Sequence, residues 1–499
     1  MASGPPSARE LDAYREQAGR FIAEELEEYY LHFAGLKKEF ELEAIYARHA
    51  DLVTLEAVQR IGASVDGGGS RELARFACEG YLANLTRAHA ERMAELEASL
   101  EATVDGETIP FRMLIPAISN EPDRGRRARL ERARNELTRE HLNPVYVEAE
   151  AVQRQAVPSL GAATYLELYR DRFGFDLEGV AAQCRALLDS TESLFEHSLD
   201  RALRERVGVG LAEAERWDVR RLFRASSWDR MFTAERMLPA LRATLGDLGI
   251  ALEEQPNVHL DVEQRETKSP RAFCAPIEVP DRVILVIQPM GGPDDWRALF
   301  HEAGHTEHYA HTSPRLSMEE KRLGDNAVTE GWAMLLEHLT NDPAWLSRRL
   351  DFPDPQGFAA EGALQLLWLV RRYSAKLLYE LEFHAGGDPA GHESRYVELL
   401  GTALKVEPGA ADYLADIDAG FYVTSYLRAW AFEAQLRTFL REQWGTDWFT
   451  RREAGSLLRE LWELGQKPTA DELLKDVTGA AVELEAVAEK IRETLPTAP

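Results

Sequence analysis

The stretch WRALFHEAGHTEHYAHTSPRLSMEEKRLGDNAVTEGW, Trp296 to Trp332, contains the run HEAGH from His301 to His305. Residues four apart on a helix share a face, so the two imidazoles can reach one metal ion. Glu302 lies about 100° round the same helix, out of line for ligation but within reach of a water on the metal, and reads as the general base. A catalytic zinc takes three protein ligands and keeps a fourth position open, so the spacing predicts one more ligand downstream. Glu330, in DNAVTEGWAMLLEHL, is the candidate; Asp325, Glu337, Glu319 and Glu320 are the competing carboxylates. Glu337, two turns beyond Glu330, is placed to accept a hydrogen bond from a ligating imidazole. His308 reads as a supporting or packing residue and His311 as surface.

Working outward, the run RVILVIQ at Arg282 to Gln288 is strand-like, and the turn QPMGGPDD follows it. Asp294 or Asp295 is expected to cap a helix beginning near Trp296. Before it, VHLDVEQ at Val258 to Gln264 alternates like a strand. An edge strand beside a metal can hold an extended peptide through its backbone groups, and Phe273 to Ile277 or Val283 to Ile287 are the candidates. Downstream, Tyr422 and Tyr426 stand four apart in DYLADIDAGFYVTSYLRAWAFEAQL, where a phenol can donate to a developing oxyanion.

The remaining chain is helical in pattern. Leu11, Tyr14, Phe21, Ile22, Leu26, Tyr29, Tyr30 and Phe33 recur at intervals of three and four. Gly67 to Gly69 break this pattern, and Ser70 or Gly69 is expected to open the next helix. A small hairpin around Asp105-Gly106 is expected over 102–114. Helices are expected to continue from Pro144 to about Gly249, interrupted near Pro158 and Gly174. Composition shifts at Pro256, which suggests a helical N-terminal lobe over 1–255 and a catalytic region over 256–499.

With 58 Lys and Arg against 85 Asp and Glu, the formal charge of −27 argues against nucleic acid or anionic membranes as partners. No run approaches the length of a membrane span, and the N-terminus shows neither a basic nor an apolar leader region. Cys78, Cys184 and Cys274, an odd count with no CxxC spacing, indicate neither a disulfide framework nor a sulfur-ligated zinc site and make a cytoplasmic setting the expectation.

The blocks KSPRAFCAPIEVPDRVILVI, LFHEAGHTEH, TEGWAMLLEHL, FYVTSYLRAW and LWELGQKPTADELL, in that order within Val258 to Leu474, resemble the M3 family of zinc metallopeptidases, the thimet oligopeptidase and oligoendopeptidase F group. The resemblance implies a mainly α fold: two helical lobes flanking a deep channel, with a small β-sheet beside a gluzincin-type HExxH helix. It implies one Zn2+ held by His301, His305 and Glu330, with Glu302 as catalytic base. It matches Tyr426 to a tyrosine that stabilises the transition state and Tyr422 to a further aromatic of that region. Three places depart from the family pattern. Gly331, Trp332 and Ala333 stand where it reads Pro-Ser-Gln, Thr424 takes the place of a tyrosine, and Asp416 or a neighbour takes the place of a histidine, the nearest being His384 and His392.

The reading that follows is a zinc-dependent endopeptidase of oligopeptides, as a monomer or small homo-oligomer. The alternatives are a metallocarboxypeptidase or dipeptidyl carboxypeptidase, which would need a group to hold the substrate's C-terminus, and a non-catalytic zinc-stabilised peptide-binding protein, which would have no use for Glu302.

Overall fold

The computed structural model describes residues 6–65 and 70–495, and the Gly67 to Gly69 break lies outside them. The chain is mainly helical, with two small sheets. Ser70 opens the helix Arg71–Ser99, its hydroxyl accepting the Leu73 N–H at 3.0 Å. Among the described residues no helix is long and apolar enough to cross a membrane. The strands are β1 (Glu101–Val104), β2 (Glu107–Pro110), β3 (Val258–Asp261), β4 (Phe273–Glu278) and β5 (Arg282–Val286).

The chain forms two compact units. One takes Met1–Ala77, Ser226–Gly362 and Ser425–Lys490; the other takes Cys78–Ala225, Ala363–Thr424 and Ile491–Pro499. Each therefore draws on both sides of residue 255. The junctions at Ala77, Gly362 and Thr424 fall inside the continuous helices Arg71–Ser99, Pro355–His384 and Val423–Trp444, where no linker composition marks them.

In the first unit β5 is central, parallel to β3 and antiparallel to β4. Ile284 and Val286 of β5, with Ala275 and Ile277 of β4, pack under Ala23, Leu26 and Tyr30 of the N-terminal helix Ala8–Phe33. Val283 and Leu285 point to the opposite face and are equally buried. A strand covered on both faces reads as an unbroken apolar run, which is what RVILV is. Two links tie the N-terminal helix to this sheet: the Tyr30 hydroxyl donates to Asp261 Oδ2 at 3.2 Å, and Arg282 pairs with Glu27 at 2.8 Å.

In the second unit, β1 and β2 pair antiparallel across Asp105 and Gly106, both with positive φ (54° and 84°), as a two-residue hairpin turn requires. The hairpin spans 101–110 rather than 102–114. Phe111, Leu114 and Ile118 are spaced at three and four, so FRML belongs to the helix Phe111–Asn120 and packs beneath Ala102, Val104 and Ile109. The interruptions expected near Pro158 and Gly174 are present, as a short 3-10 turn at Val157–Leu160 and a left-handed glycine at φ 75°.

Candidate metal centre

HEAGH lies in the helix Pro293–His311, which starts earlier than the sequence suggested. Gly292, at φ 92°, occupies the N-cap position, Pro293 follows as the first helical residue, and neither Asp294 nor Asp295 caps the helix. Asp295 instead reaches back, accepting the N–H groups of Met290 and Gly291 at 2.7 and 2.8 Å, and so holds the QPMGG turn against the helix start.

Glu330 lies in the helix Asn326–Leu339. His301 meets Glu337, Gly304 meets Ala333 and His305 meets Thr329, so the two helices run antiparallel. They touch backbone to backbone. A Cβ on Gly304 would lie 2.5 Å from Ala333 Cα and 2.5 Å from the Trp332 carbonyl oxygen. The same device recurs at Gly331, where a Cβ would fall 2.4 Å from the Phe432 ring of the helix Val423–Trp444. The small residues in GWA, which depart from the family pattern, are thus the ones that let three helices close on the centre.

This approach brings one ligating atom each from His301, His305 and Glu330 within 4.8 Å of one another. Glu330 Oε2 is 3.5 Å from His301 Nε2 and 3.8 Å from His305 Nε2. Donors about 2.0–2.1 Å from a tetrahedral zinc stand roughly 3.3 Å apart, so the two contacts of Glu330 need to tighten by no more than about half an ångström. The outer nitrogens are already engaged. His301 Nδ1 donates to Glu337 Oε2 at 2.9 Å, and His305 Nδ1 lies 2.8 Å from the Thr329 hydroxyl. A proton held on Nδ1 leaves the Nε2 lone pair facing the cluster, as ligation demands. Burial pulls His305 down to about 4, into its neutral form. Burial also disfavours the charged form of His301, but the Glu330 and Glu337 carboxylates outweigh it and raise the group well above the ordinary histidine value.

The competing carboxylates are occupied elsewhere. Asp325 caps the Glu330 helix through the Ala327 N–H at 3.0 Å and pairs with Arg428 at 2.7 Å. Glu319 pairs with Arg15, and Glu320 closes a capping box with Ser317. Glu337 takes the supporting role expected of it. Glu302 stays out of the cluster; its Oε2 accepts the backbone N–H of Cys274 on β4 at 2.8 Å. Burial pushes its carboxyl up to about 7, against the opposing pull of His301.

β5 is paired on both sides, so of the two candidate edges only β4, with Phe273 to Ile277, has an open side. Cys274 and Thr329 were not singled out from sequence. Cys274 acts through its backbone and leaves no residue signal, whereas Thr329 is legible as the hydroxyl immediately before the candidate ligand Glu330. His308 is fully buried between the rings of Tyr309 and Trp332 and is a packing residue. His311 is only partly exposed: its Nδ1 is 2.9 Å from the Glu307 carbonyl oxygen and its ring rests on Trp462.

Tyr426 is half-buried in the first unit, its ring 6.3 Å from Trp430. It lies on the helix whose Arg428 grips Asp325 and whose Phe432 covers Gly331, well round the helix from both. Tyr422 belongs to the second unit, as do the departures at Thr424 and Asp416. The Thr424 hydroxyl donates to the Phe421 carbonyl at 2.8 Å, and Asp416 accepts from the Tyr396 hydroxyl at 2.9 Å and pairs with Arg372. Both are tied into the second unit's own framework. His384 is buried there against Tyr165 and Phe421, and His392 rests on Phe383.

No protein-family model matches this sequence, and no curated protein matches it. Solved structures do. PZ peptidase A, in a structure with an inhibitor, superposes with a TM-score of 0.64 at 18% identity, covering 98% of this chain and 97% of that one. A chain assigned as oligoendopeptidase F from Bacillus anthracis str. Ames gives 0.59 at 18% identity over 93% of this chain and 80% of its own. Another chain assigned as oligoendopeptidase F gives 0.61 at 18% identity over 95% and 84%. The chain folds as the PZ peptidase and oligoendopeptidase F structures do, which is the fold of the M3 peptidases.

Proposed function

We propose that this protein is a zinc-dependent peptidase that cleaves oligopeptides internally. The observation that carries the reading is the convergence of His301, His305 and Glu330 beside a glutamate that ligates nothing and faces an open-edged strand. A purely structural zinc site would have no use for Glu302 there. A zinc ion held by the three side chains would lower the pKa of a coordinated water and polarise the scissile carbonyl.

The residues divide the remaining work. Glu337 and Thr329 keep the imidazoles turned so that Nε2 faces the cluster. The Cys274 N–H holds Glu302 in place. Glu302 takes a proton from the attacking water and passes it to the leaving amine. Backbone groups on the outer side of β4 align an extended peptide. Of the two tyrosines, Tyr426 shares a unit with the ligands and is assigned the oxyanion, to which its hydroxyl donates.

The purified chain should bind one zinc, and removing it with a chelator should abolish cleavage of an internally quenched peptide until zinc is restored. Glu330→Gln should lower zinc occupancy; full occupancy in that variant would remove Glu330 from the ligand set. Tyr426→Phe should cut kcat by about a hundredfold with zinc content unchanged. An unaltered kcat would take Tyr426 out of the mechanism.

A further inference from the structure

The outer edge of β4 does not stay open along its length. Cys274 turns its N–H away from β5 toward Glu302, so the polar groups of alternate residues line this side. Two residues on, Pro276 has no N–H to offer. Ile277 sits at an irregularity in the pairing with β5, and its carbonyl accepts Arg322 Nη2 at 2.6 Å. A peptide laid along β4 therefore has a backbone acceptor at the Cys274 carbonyl, the N–H of that residue being held by Glu302, and, about three residues or 10 Å further, meets a guanidinium.

The three most deeply buried arginines among the described residues each have a carboxylate partner. Arg127 pairs with Asp218 at 2.7 Å, Arg371 with Glu192 at 2.6 Å and Arg437 with Glu433 at 2.6 Å. Arg322 is only partly exposed, yet among the described residues no carboxylate comes within ion-pair distance, and the Ile277 carbonyl accepts the one hydrogen bond it donates. Burial pulls it below the ordinary arginine value, with Tyr309, Glu278 and Cys274 opposing. A desolvated cation without an anion is costly, and arginine's forked donors match a carboxylate.

We infer that Arg322 is a specificity-determining residue that binds a carboxylate carried by the peptide about three residues from the scissile bond. The source is either an acidic side chain or the substrate's free C-terminus. The inference rests on the peptidase reading of the same site and adds the charge class of its substrates.

The test uses zinc-loaded protein and quenched peptides that differ at one group: Glu against Gln at successive positions, and free acid against amide at the C-terminus. The wild type should favour the carboxylate by about tenfold in kcat/KM at one position or at the terminus, and whichever series shows it names the source. In Arg322→Gln the ratio should fall to about one, and Arg322→Lys should retain part of it. A wild type without preference, or a ratio preserved in Arg322→Gln because both peptides suffer alike, overturns the inference and leaves Arg322 a clamp on Ile277. If the wild type cleaves no peptide, the peptidase reading fails instead. Fluorescence anisotropy with labelled Glu and Gln peptides then decides the inference: an Arg322-dependent preference in binding sustains it, and equal binding overturns it.

Discussion

Glu302→Gln should keep its zinc and lose peptide hydrolysis, with kcat falling by about a thousandfold or more. The separation of the two effects follows from geometry. The proposed metal donors are His301, His305 and Glu330, and Glu302 is engaged instead with the Cys274 N–H at 2.8 Å. Glutamine is close to isosteric and its carbonyl oxygen can still accept that N–H, so the helix and the ligand cluster have no reason to rearrange. What it lacks is the capacity to take a proton from water and return it to an amine. Metal analysis and single-turnover assays on the same preparation check both halves. Undiminished turnover would remove Glu302 as the base, whereas loss of zinc would show that it helps to hold the metal.

The second large effect comes from one hydrogen atom. Gly304→Ala should destabilise the fold by about 1–3 kcal/mol and weaken zinc binding by ten- to a hundredfold. Helix propensity alone predicts the opposite sign, since alanine is favoured over glycine inside a helix by up to about 1 kcal/mol. Sterics should win because the new methyl would sit 2.5 Å from Ala333 Cα and 2.8 Å from Ala333 N, atoms of a buried helix backbone that cannot swing aside. The helices would have to part at the point where His301 and His305 face Glu330, and donors 3.5 and 3.8 Å apart in this structure would be drawn away from a shared ion. Denaturant unfolding and zinc competition with a chelator measure the two consequences. A stabilised variant with normal zinc affinity would show that the contact is softer than it looks.

The pairing of His301 with His305, and the offset of Glu302 from them, were legible in HEAGH because helical spacing is local: residues four apart share a face whatever surrounds them. RVILV was legible as a strand for a related reason, since burial on both faces leaves an unbroken apolar run. The hairpin limits were misjudged because Phe111, Leu114 and Ile118 suit either a short strand or a helix until their partners are known. The partial cover of His311 by Trp462 is not legible, because a histidine near a helix end gives no sign of what packs on it.

By itself the sequence determined the chemistry within reach of one helix: two imidazoles on a face, a glutamate beside them and a third ligand due downstream. It did not determine which carboxylate would arrive, because Asp325, Glu319, Glu320, Glu330 and Glu337 are equally acidic on paper. In the tertiary structure Glu330 is the carboxylate brought to the two imidazoles, since the backbone contact at Gly304 and Ala333 sets the register of the two antiparallel helices and capping, pairing or imidazole support occupies the others. It likewise chose β4 over β5 as the open edge and ended that edge at Arg322, because strand order and the reach of a side chain from a distant helix are not written in local spacing.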